Sequence, residues 1–229
     1  MCKSLVAASL LAITLTSPAP SAQAQRTRQS RRESNANRRA RIARTVEQTY
    51  AHRWEAAGGG GYLRFRSGQS LQRNNEVSFF GSSMYSLNPK VGIVGQVTGS
   101  YGSAKIGNNP YLNNYNGGFY PQISQYTFTA GPSYRFYAKE KYAVTGFVTG
   151  GAALGKFDTG SKGFTSSDIG VWQSGTRAAF TAGVNLDYNF YPNLAVRVTP
   201  TYIGTTFSGT VQNNKGVNVG LVYRFGKIK

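Results

Sequence analysis

Tyr126-Thr-Phe-Thr-Ala-Gly-Pro-Ser-Tyr-Arg-Phe136 alternates between two kinds of side chain. Tyr, Phe, Ala and Pro occupy one set of alternate positions, and Thr, Gly, Ser and Arg occupy the other. Because successive side chains of a β-strand point to opposite faces, this stretch predicts a strand with one apolar face and one small, polar face. The same alternation recurs from Phe180 to Phe190 and from Val217 to Phe225.

Alternation of this kind begins near Trp54 and predicts eight strands. Their expected spans are 54–66, 76–87, 90–103, 123–138, 141–157, 175–191, 193–207 and 216–226. The gaps at 87–90, 138–141 and 191–193 are tight turns, whereas those at 67–75, 104–122, 158–174 and 208–215 are long and rich in Gly, Asn and Ser. Short turns at one end and long loops at the other are typical of transmembrane β-barrels, whose short turns are periplasmic. The sequence therefore predicts an all-β fold, an eight-stranded antiparallel up-and-down barrel at residues 54–229.

The first 24 residues have the features of a secretory signal peptide. A basic start is followed by an apolar run from Leu5 to Leu15 and by an Ala-x-Ala-like site that ends at Ala24, after which we expect cleavage. The apolar run is shorter than the ~20 residues that a membrane-spanning helix needs. Cys2, the only cysteine, precedes this run. Its removal with the signal predicts a mature protein without disulfides or a cysteine metal site.

Residues 25–53 form a second region of different composition. Nine Arg stand against two Glu between residues 26 and 53, with few apolar residues, a composition typical of a disordered or weakly helical segment. Ile42, Val46 and Tyr50 recur every four residues, which allows a narrow helix from about Asn37 to Tyr50. We therefore expect a flexible or partly helical N-terminal segment.

The formal net charge of +18 favours an anionic partner. Nucleic acid would fit the charge, but the export signal argues against it. An even number of strands leaves both ends of the barrel in the periplasm, so the Arg-rich segment is expected there. It could bind anionic lipid head groups or cell-wall polymer, at about 1 kcal/mol per basic side chain near a charged surface. The alternative is a flexible spacer.

Alternation alone does not distinguish a membrane barrel from a soluble, lipocalin-like periplasmic binding barrel. A soluble barrel buries its apolar face, whereas a membrane barrel turns that face to lipid. The export signal, the asymmetry of the loops and the aromatic residues near strand ends favour the membrane form. These aromatic residues are Tyr134, Phe136, Tyr188, Phe190, Tyr191, Tyr223 and Phe225.

The last predicted strand contains Asn218-Val-Gly-Leu-Val-Tyr-Arg-Phe225. This segment resembles the C-terminal signal that the barrel-assembly machinery recognises in outer-membrane proteins, in its polar Asn218, its Gly220 and its aromatic Tyr223 and Phe225. The usual signal ends the chain, whereas Gly226-Lys-Ile-Lys229 follows here. The resemblance implies that the barrel-assembly machinery is a partner.

Residues 54–229 as a whole resemble the small OmpA/OmpX/opacity-like outer-membrane barrels. The stretch Gly58-Gly-Gly-Gly-Tyr-Leu-Arg-Phe65 resembles the first strand of opacity-like proteins. The resemblance implies a location in the bacterial outer membrane after export, contact with outer-membrane lipid and long loops at the cell surface. It implies a structural or surface-interaction role in adhesion or envelope integrity, and it does not indicate the extracellular ligand.

A cluster of charged side chains is predicted inside the barrel. Asp187 and Arg197 each lie five residues from Pro192, so they can face each other across the hairpin on the lumen side. Arg135, Arg224 and Glu55 lie at comparable heights near the periplasmic end. Ionic hydrogen bonds of Asp187 with Arg197, Arg135 and Arg224 would replace lost hydration and plug a polar lumen. The alternative is a gate for small ions in a narrow, non-selective pore.

No catalytic, cofactor-binding or metal-binding residues are expected. Some outer-membrane barrels are enzymes, but their chemistry needs a base near a nucleophile, and the sole histidine, His52, precedes the predicted barrel. Asp158 and Asp168 share a loop rich in Gly, Ser and Lys, where acids are usually solvated turn residues. Nucleotide-binding and serine-hydrolase motifs are missing from the sequence.

Overall fold

A computed structural model describes residues 35–69, 71, 73–104, 120–161, 163–207 and 209–228. The predicted signal peptide lies outside the described residues, as does the first part of the Arg-rich segment. Helix α1 (Asn35–Tyr50) precedes eight strands. They are β1 (His52–Arg66), β2 (Arg73–Ser86), β3 (Val91–Ser103), β4 (Gln122–Ala138), β5 (Tyr142–Thr159), β6 (Gly175–Tyr191), β7 (Leu194–Thr205) and β8 (Gln212–Lys227).

The eight strands close into one antiparallel barrel. Each strand pairs with the next along the chain, and β1 pairs with β8. The predicted fold is confirmed, and the largest difference in strand bounds is at β8, which begins at residue 212 instead of 216. Strand β8 extends further because its polar residues before 216 keep their pairing with β7, from Thr201↔Gly216 to Thr205↔Gln212.

The two faces of the strands have opposite surroundings. In β4, Phe128 is 45% exposed on the outside of the barrel, while Thr127 and Thr129 are buried inside. Leu221 in β8 is likewise exposed, whereas Arg224 is buried. A wall that exposes many large apolar side chains on its outer face is unfavourable in water but matches the hydrocarbon of a bilayer. The chain therefore has the arrangement of a transmembrane barrel and not that of a lipocalin-like barrel.

Glycines on the outer wall make room for neighbouring aromatic rings. A Cβ atom placed on Gly99 of β3 would lie 2.3 Å from the ring of Phe79, which comes from β2 and covers Gly99. Phe79 also stacks on Tyr101, with 6.2 Å between ring centroids. Such glycine–aromatic pairs fix the register of neighbouring strands.

Helix α1 ends two residues before β1 begins. Residues 39–50 of α1 belong to the same compact unit as the barrel. The helix ends at Tyr50, the last of the three residues that recur every four positions. Tyr50 is buried, as is Thr49. Among the described residues, no helix is both long and apolar enough to cross a membrane.

Candidate functional site

Five charged side chains meet inside the barrel near the short turns. This lumen charge cluster consists of Glu55, Arg135, Asp187, Arg197 and Arg224, all at most 6% exposed. Strand pairing brings some members together directly, because Asp187 lies opposite Arg197 and Glu55 lies opposite Arg224. The structure thus places the predicted cluster residues in one contiguous network.

Asp187 holds two arginines with well-formed hydrogen bonds. Arg197 donates from Nε to Asp187 Oδ1 at 2.7 Å and from Nη2 to Asp187 Oδ2 at 2.8 Å. Arg224 Nη2 donates to the same Oδ2 at 2.9 Å. Such two-pronged contacts between guanidinium and carboxylate are strong and fix the orientation of both groups.

Glu55 joins strands that are not neighbours. Its Oε2 accepts a hydrogen bond from Arg224 Nε at 2.9 Å, and its Oε1 accepts one from Arg197 Nη2. Arg197 is on β7 and Glu55 is on β1, with β8 between them, so this contact reaches across the inside of the barrel. The contact therefore links the β1–β8 pairing, which closes the barrel, to the β6–β7 hairpin.

Three arginines face two carboxylates, so the lumen charge cluster keeps one net positive charge. Arg135 is the least paired member, since its Nη2 lies 3.6 Å from Glu55 Oε2 and its Nε has no hydrogen-bond partner within the described ranges. Its Nη1 donates to the carbonyl oxygen of Pro89 at 2.8 Å. Its guanidinium also lies 4.7 Å from the ring centre of Tyr50, a favourable cation–π contact.

Tyr50 covers the lumen charge cluster from the side of the short turns. Its hydroxyl donates to the carbonyl oxygen of Lys139 at 2.8 Å and accepts from Asn189 Nδ2 at 2.9 Å. Asn189 Oδ1 in turn accepts from Arg224 Nη1 at 2.9 Å, so Tyr50 is linked to the cluster itself. Burial raises the pKa of Tyr50 because the phenolate would lose hydration. This cap was not predicted from the sequence, although its signal was present in the four-residue spacing of Ile42, Val46 and Tyr50.

Hydroxyl and amide side chains fill the middle of the lumen. Gln96 Nε2 donates to Thr98 Oγ1 at 3.0 Å, and Thr199 Oγ1 donates to Asn185 Oδ1 at 2.9 Å. The first pair joins two residues of β3, and the second joins residues of the neighbouring strands β6 and β7. Both pairs satisfy buried polar groups. The central layer therefore contains paired polar groups, and it also contains the buried apolar side chains of Met84, Val94 and Phe147.

Glu76 of β2 departs from this pattern. It is 1% exposed, and neither of its carboxylate oxygens has a hydrogen-bond partner among the described residues. The neighbouring lumen residues Ser100 and Gln125 each have a buried oxygen that finds no partner in the described part of the chain. An uncompensated buried carboxylate is costly, so this is a weak point in the interior.

An apolar cluster closes the end of the barrel near the long loops. Phe157 of β5 lies between Phe65 of β1 and Phe207, with ring centroids 5.8 and 4.9 Å apart. Trp172, from the long β5–β6 loop, joins them and donates from Nε1 to the carbonyl oxygen of Arg66 at 2.6 Å. The other buried members are Leu63, Ala104, Ile123, Ala153, Ile169, Val171, Ala179 and Ile203.

The prediction of a polar lumen was wrong at this end. Loop residues fold back onto the barrel mouth, so inward-facing strand residues there pack against loop side chains and form a small hydrophobic core. The signal was available in the sequence, because Leu63 and Phe65 are in phase with the inward Glu55 and not with the outward Trp54.

The residues of the predicted assembly signal occupy both faces of β8. Asn218 points into the lumen, where its Oδ1 accepts from Ser78 Oγ at 3.2 Å. A Cβ atom on Gly220 would lie 2.3 Å from the carbonyl oxygen of Gly58, so only glycine fits this close approach to β1. Tyr223 and Phe225 face outward with 6.0 Å between their ring centroids.

The acids and the histidine considered for catalysis lie apart from the lumen charge cluster. Asp158 Oδ1 accepts from Ser174 Oγ at 2.8 Å, and Asp168 Oδ2 accepts from the Thr165 backbone nitrogen at 3.0 Å. The hydrogen bonds from Thr165 lower the pKa of Asp168. His52 is in contact with the carbonyl oxygen of Thr49. Within the described ranges, His, Cys, Asp and Glu side chains nowhere gather in threes as a metal site would need.

Solved structures of small outer-membrane barrels share this fold. Neisserial surface protein A is similar with a TM-score of 0.55 and 15% identity, over 75% of this chain and 97% of that one. The outer-membrane protein OprG from Pseudomonas aeruginosa is similar with a TM-score of 0.52 and 13% identity, over 77% of this chain and 97% of that one. No protein-family model matches the chain, and no curated protein sequence matches it significantly. The fold is that of the small eight-stranded outer-membrane β-barrels.

Proposed function

We propose that this small outer-membrane-type barrel is a non-enzymatic protein of the bacterial outer membrane with a structural or surface-interaction role. The observation that carries the proposal is the occlusion of the lumen at both ends. The lumen charge cluster and Tyr50 fill the end with the short turns, and the apolar cluster around Phe157 fills the end with the long loops. A barrel closed in this way serves better as a rigid anchor for its loops than as a pore.

The membrane location rests on the outer wall of the barrel. Large apolar side chains of seven of the eight strands are exposed on the outer wall, and aromatic rings such as Tyr134, Tyr188 and Tyr223 lie near the short turns. Aromatic girdles of this kind mark the membrane interface of outer-membrane barrels. The expected signal peptide at residues 1–24 supplies the export route, with the short turns in the periplasm and the long loops at the cell surface.

The Arg-rich segment would then lie in the periplasm. Arg39 and Arg44 of α1 are exposed, and Arg41 lies 3.7 Å from Glu140 in the β4–β5 turn. This ion pair supports an orientation in which α1 stays at the periplasmic end. Exposed arginines there suit anionic head groups of the inner leaflet or acidic cell-wall polymer. The barrel-assembly machinery is the partner proposed for the segment from Asn218 to Phe225.

Conductance in planar bilayers tests the proposed role. We expect the purified full-length protein to give no steady channels above the background of the bilayer. The matched variant Phe157→Ala, which removes the central ring of the apolar cluster, is expected to give brief openings at most, because the lumen charge cluster remains. Steady channels in the unmodified protein would refute the structural role and favour a narrow pore.

A second experiment tests location and role together. The protein, expressed in a Gram-negative host, should fractionate with the outer membrane and migrate differently on a denaturing gel with and without boiling. If cells that lack the gene for this protein lose their resistance to detergent, the protein has a role in envelope integrity. If such cells lose only their attachment to other cells, the protein has a role in surface interaction. A protein that is soluble in the periplasm and shows no heat-dependent shift would overturn the membrane location.

A further inference from the structure

Four cationic side chains form a patch on the outer wall near the long loops. This outer cationic patch consists of Arg64 and Arg66 of β1, Arg73 of β2 and Lys215 of β8, all exposed. Arg66 lies directly opposite Arg73, and Arg64 lies directly opposite Lys215. Three adjacent strands therefore place four positive charges side by side.

Nothing in the described part of the chain neutralises this patch. None of its four side chains takes part in an ion pair or a side-chain hydrogen bond there. Like charges directly opposite each other on neighbouring strands destabilise a sheet. An anion bound between two such neighbouring cationic pairs would relieve this repulsion.

The height of the outer cationic patch on the barrel limits the kind of anion. Tyr62 precedes Arg64 on the same outward face of β1 and pairs with the outward Val77 and Val217 on the neighbouring strands. One outward step along a strand is about 7 Å. Arg64 and Lys215 are one step beyond this apolar row, and Arg66 and Arg73 are two steps beyond it. In a membrane this level corresponds to lipid head groups.

A small pocket borders the outer cationic patch on the side of the long loops. It has a volume of about 140 Å³, and Arg66 and Arg73 form part of its wall. The remaining lining residues are Gln69, Trp172, Thr210, Val211, Gln212 and Asn213. Guanidinium groups match the oxygen geometry of a phosphate group with paired hydrogen bonds.

We propose that the outer cationic patch binds the phosphate groups of a phosphorylated lipid in the outer leaflet of the membrane. Arg66 and Arg73 hold one phosphate group at the pocket, and Arg64 and Lys215 contact the same head group closer to the hydrocarbon. The site fixes the depth of the barrel in the membrane and ties its surface to the surrounding lipid. This inference rests on the proposed membrane location.

Binding of lipid A to the full-length folded barrel tests the proposal. The double variant Arg66→Gln/Arg73→Gln is compared with Lys156→Gln/Arg177→Gln, which removes two exposed charges from the loop ends of β5 and β6. We expect the first variant to bind diphosphoryl lipid A at least ten-fold more weakly, and the control to change by less than two-fold. Dephosphorylated lipid A should bind weakly to all three proteins.

Three outcomes would overturn the proposal. Equal losses in both variants would mean a general charge effect without a site. Unchanged binding in the Arg66→Gln/Arg73→Gln variant would mean that the patch does not hold the lipid. Competition by inorganic phosphate at the concentration of the lipid would mean a site for free anions. A heat-dependent gel shift, measured on each variant, separates these results from a failure of the barrel to fold or to insert.

Discussion

Replacing Asp187 by Asn is the sharpest test of the lumen charge cluster. The substitution keeps the shape of the side chain but removes its negative charge. Asp187 accepts two hydrogen bonds from Arg197 and one from Arg224, at 2.7 to 2.9 Å. An Asn side chain has one oxygen, so at least one arginine nitrogen would face an amide donor. The net charge of the cluster would rise from +1 to +2.

The expected cost follows from the burial of the partners. Both Arg197 and Arg224 are 2% exposed, so neither can recover hydration after the change. Removing one partner of a buried ion pair typically costs about 3–5 kcal/mol. We therefore expect Asp187→Asn to lower the free energy of unfolding by about this amount.

Equilibrium unfolding in urea, with the barrel folded in detergent or lipid, provides the measurement. The fluorescence of Trp54 and Trp172 follows the two ends of the barrel. The matched control is Asp158→Asn, whose carboxylate is exposed and bonded to Ser174, and which should cost less than about 1 kcal/mol. A loss below about 1 kcal/mol for Asp187→Asn would refute the stabilising role of the cluster.

A second substitution tests whether charge balance is the reason. Arg135→Gln removes the least paired arginine and would restore the charge of the Asp187→Asn cluster to +1. The double variant should therefore lose less stability than the sum of the two single variants. Additive losses would mean that Arg135 and Asp187 act independently.

Three further substitutions test other parts of the interior by the same unfolding measurement. Phe157→Ala should cost about 3–5 kcal/mol because it leaves a cavity in the apolar cluster; a loss below about 1 kcal/mol would contradict that packing. Glu76→Gln should leave stability unchanged or raise it, since it removes an unpaired buried carboxylate and supplies a donor for Ser100 or Gln125, and a clear loss would mean that the charge is compensated. Tyr50 has a pKa raised above 10.0 in the folded protein, so its contribution is complete below pH 10 and is lost as the pH rises through the folded pKa. Tyr50→Phe should therefore unfold more easily at pH 8, and its difference from the unmodified protein should shrink above pH 10; a constant difference would refute the cap.

The sequence by itself determined the strands and the direction of their faces. Period two is a local property of an extended chain, so the run from Tyr126 to Phe136 settles which side chains share a face. The turn at Pro192 likewise fixes the pairing of Asp187 with Arg197, because a hairpin sets its own register. The alternation of short and long gaps fixed which end of the barrel carries the loops.

Only the tertiary structure decided what meets inside the closed barrel. Glu55 reaches Arg197 across an intervening strand. Tyr50, which belongs to helix α1 and not to a strand, covers Arg135 at the end with the short turns. Trp172 reaches the mouth from a long loop whose path has no periodic signal. Periodicity assigns a residue to the inner face, but the tilt and stagger of the strands set its height and its partners across the lumen. Those quantities belong to the whole barrel, and no single strand encodes them.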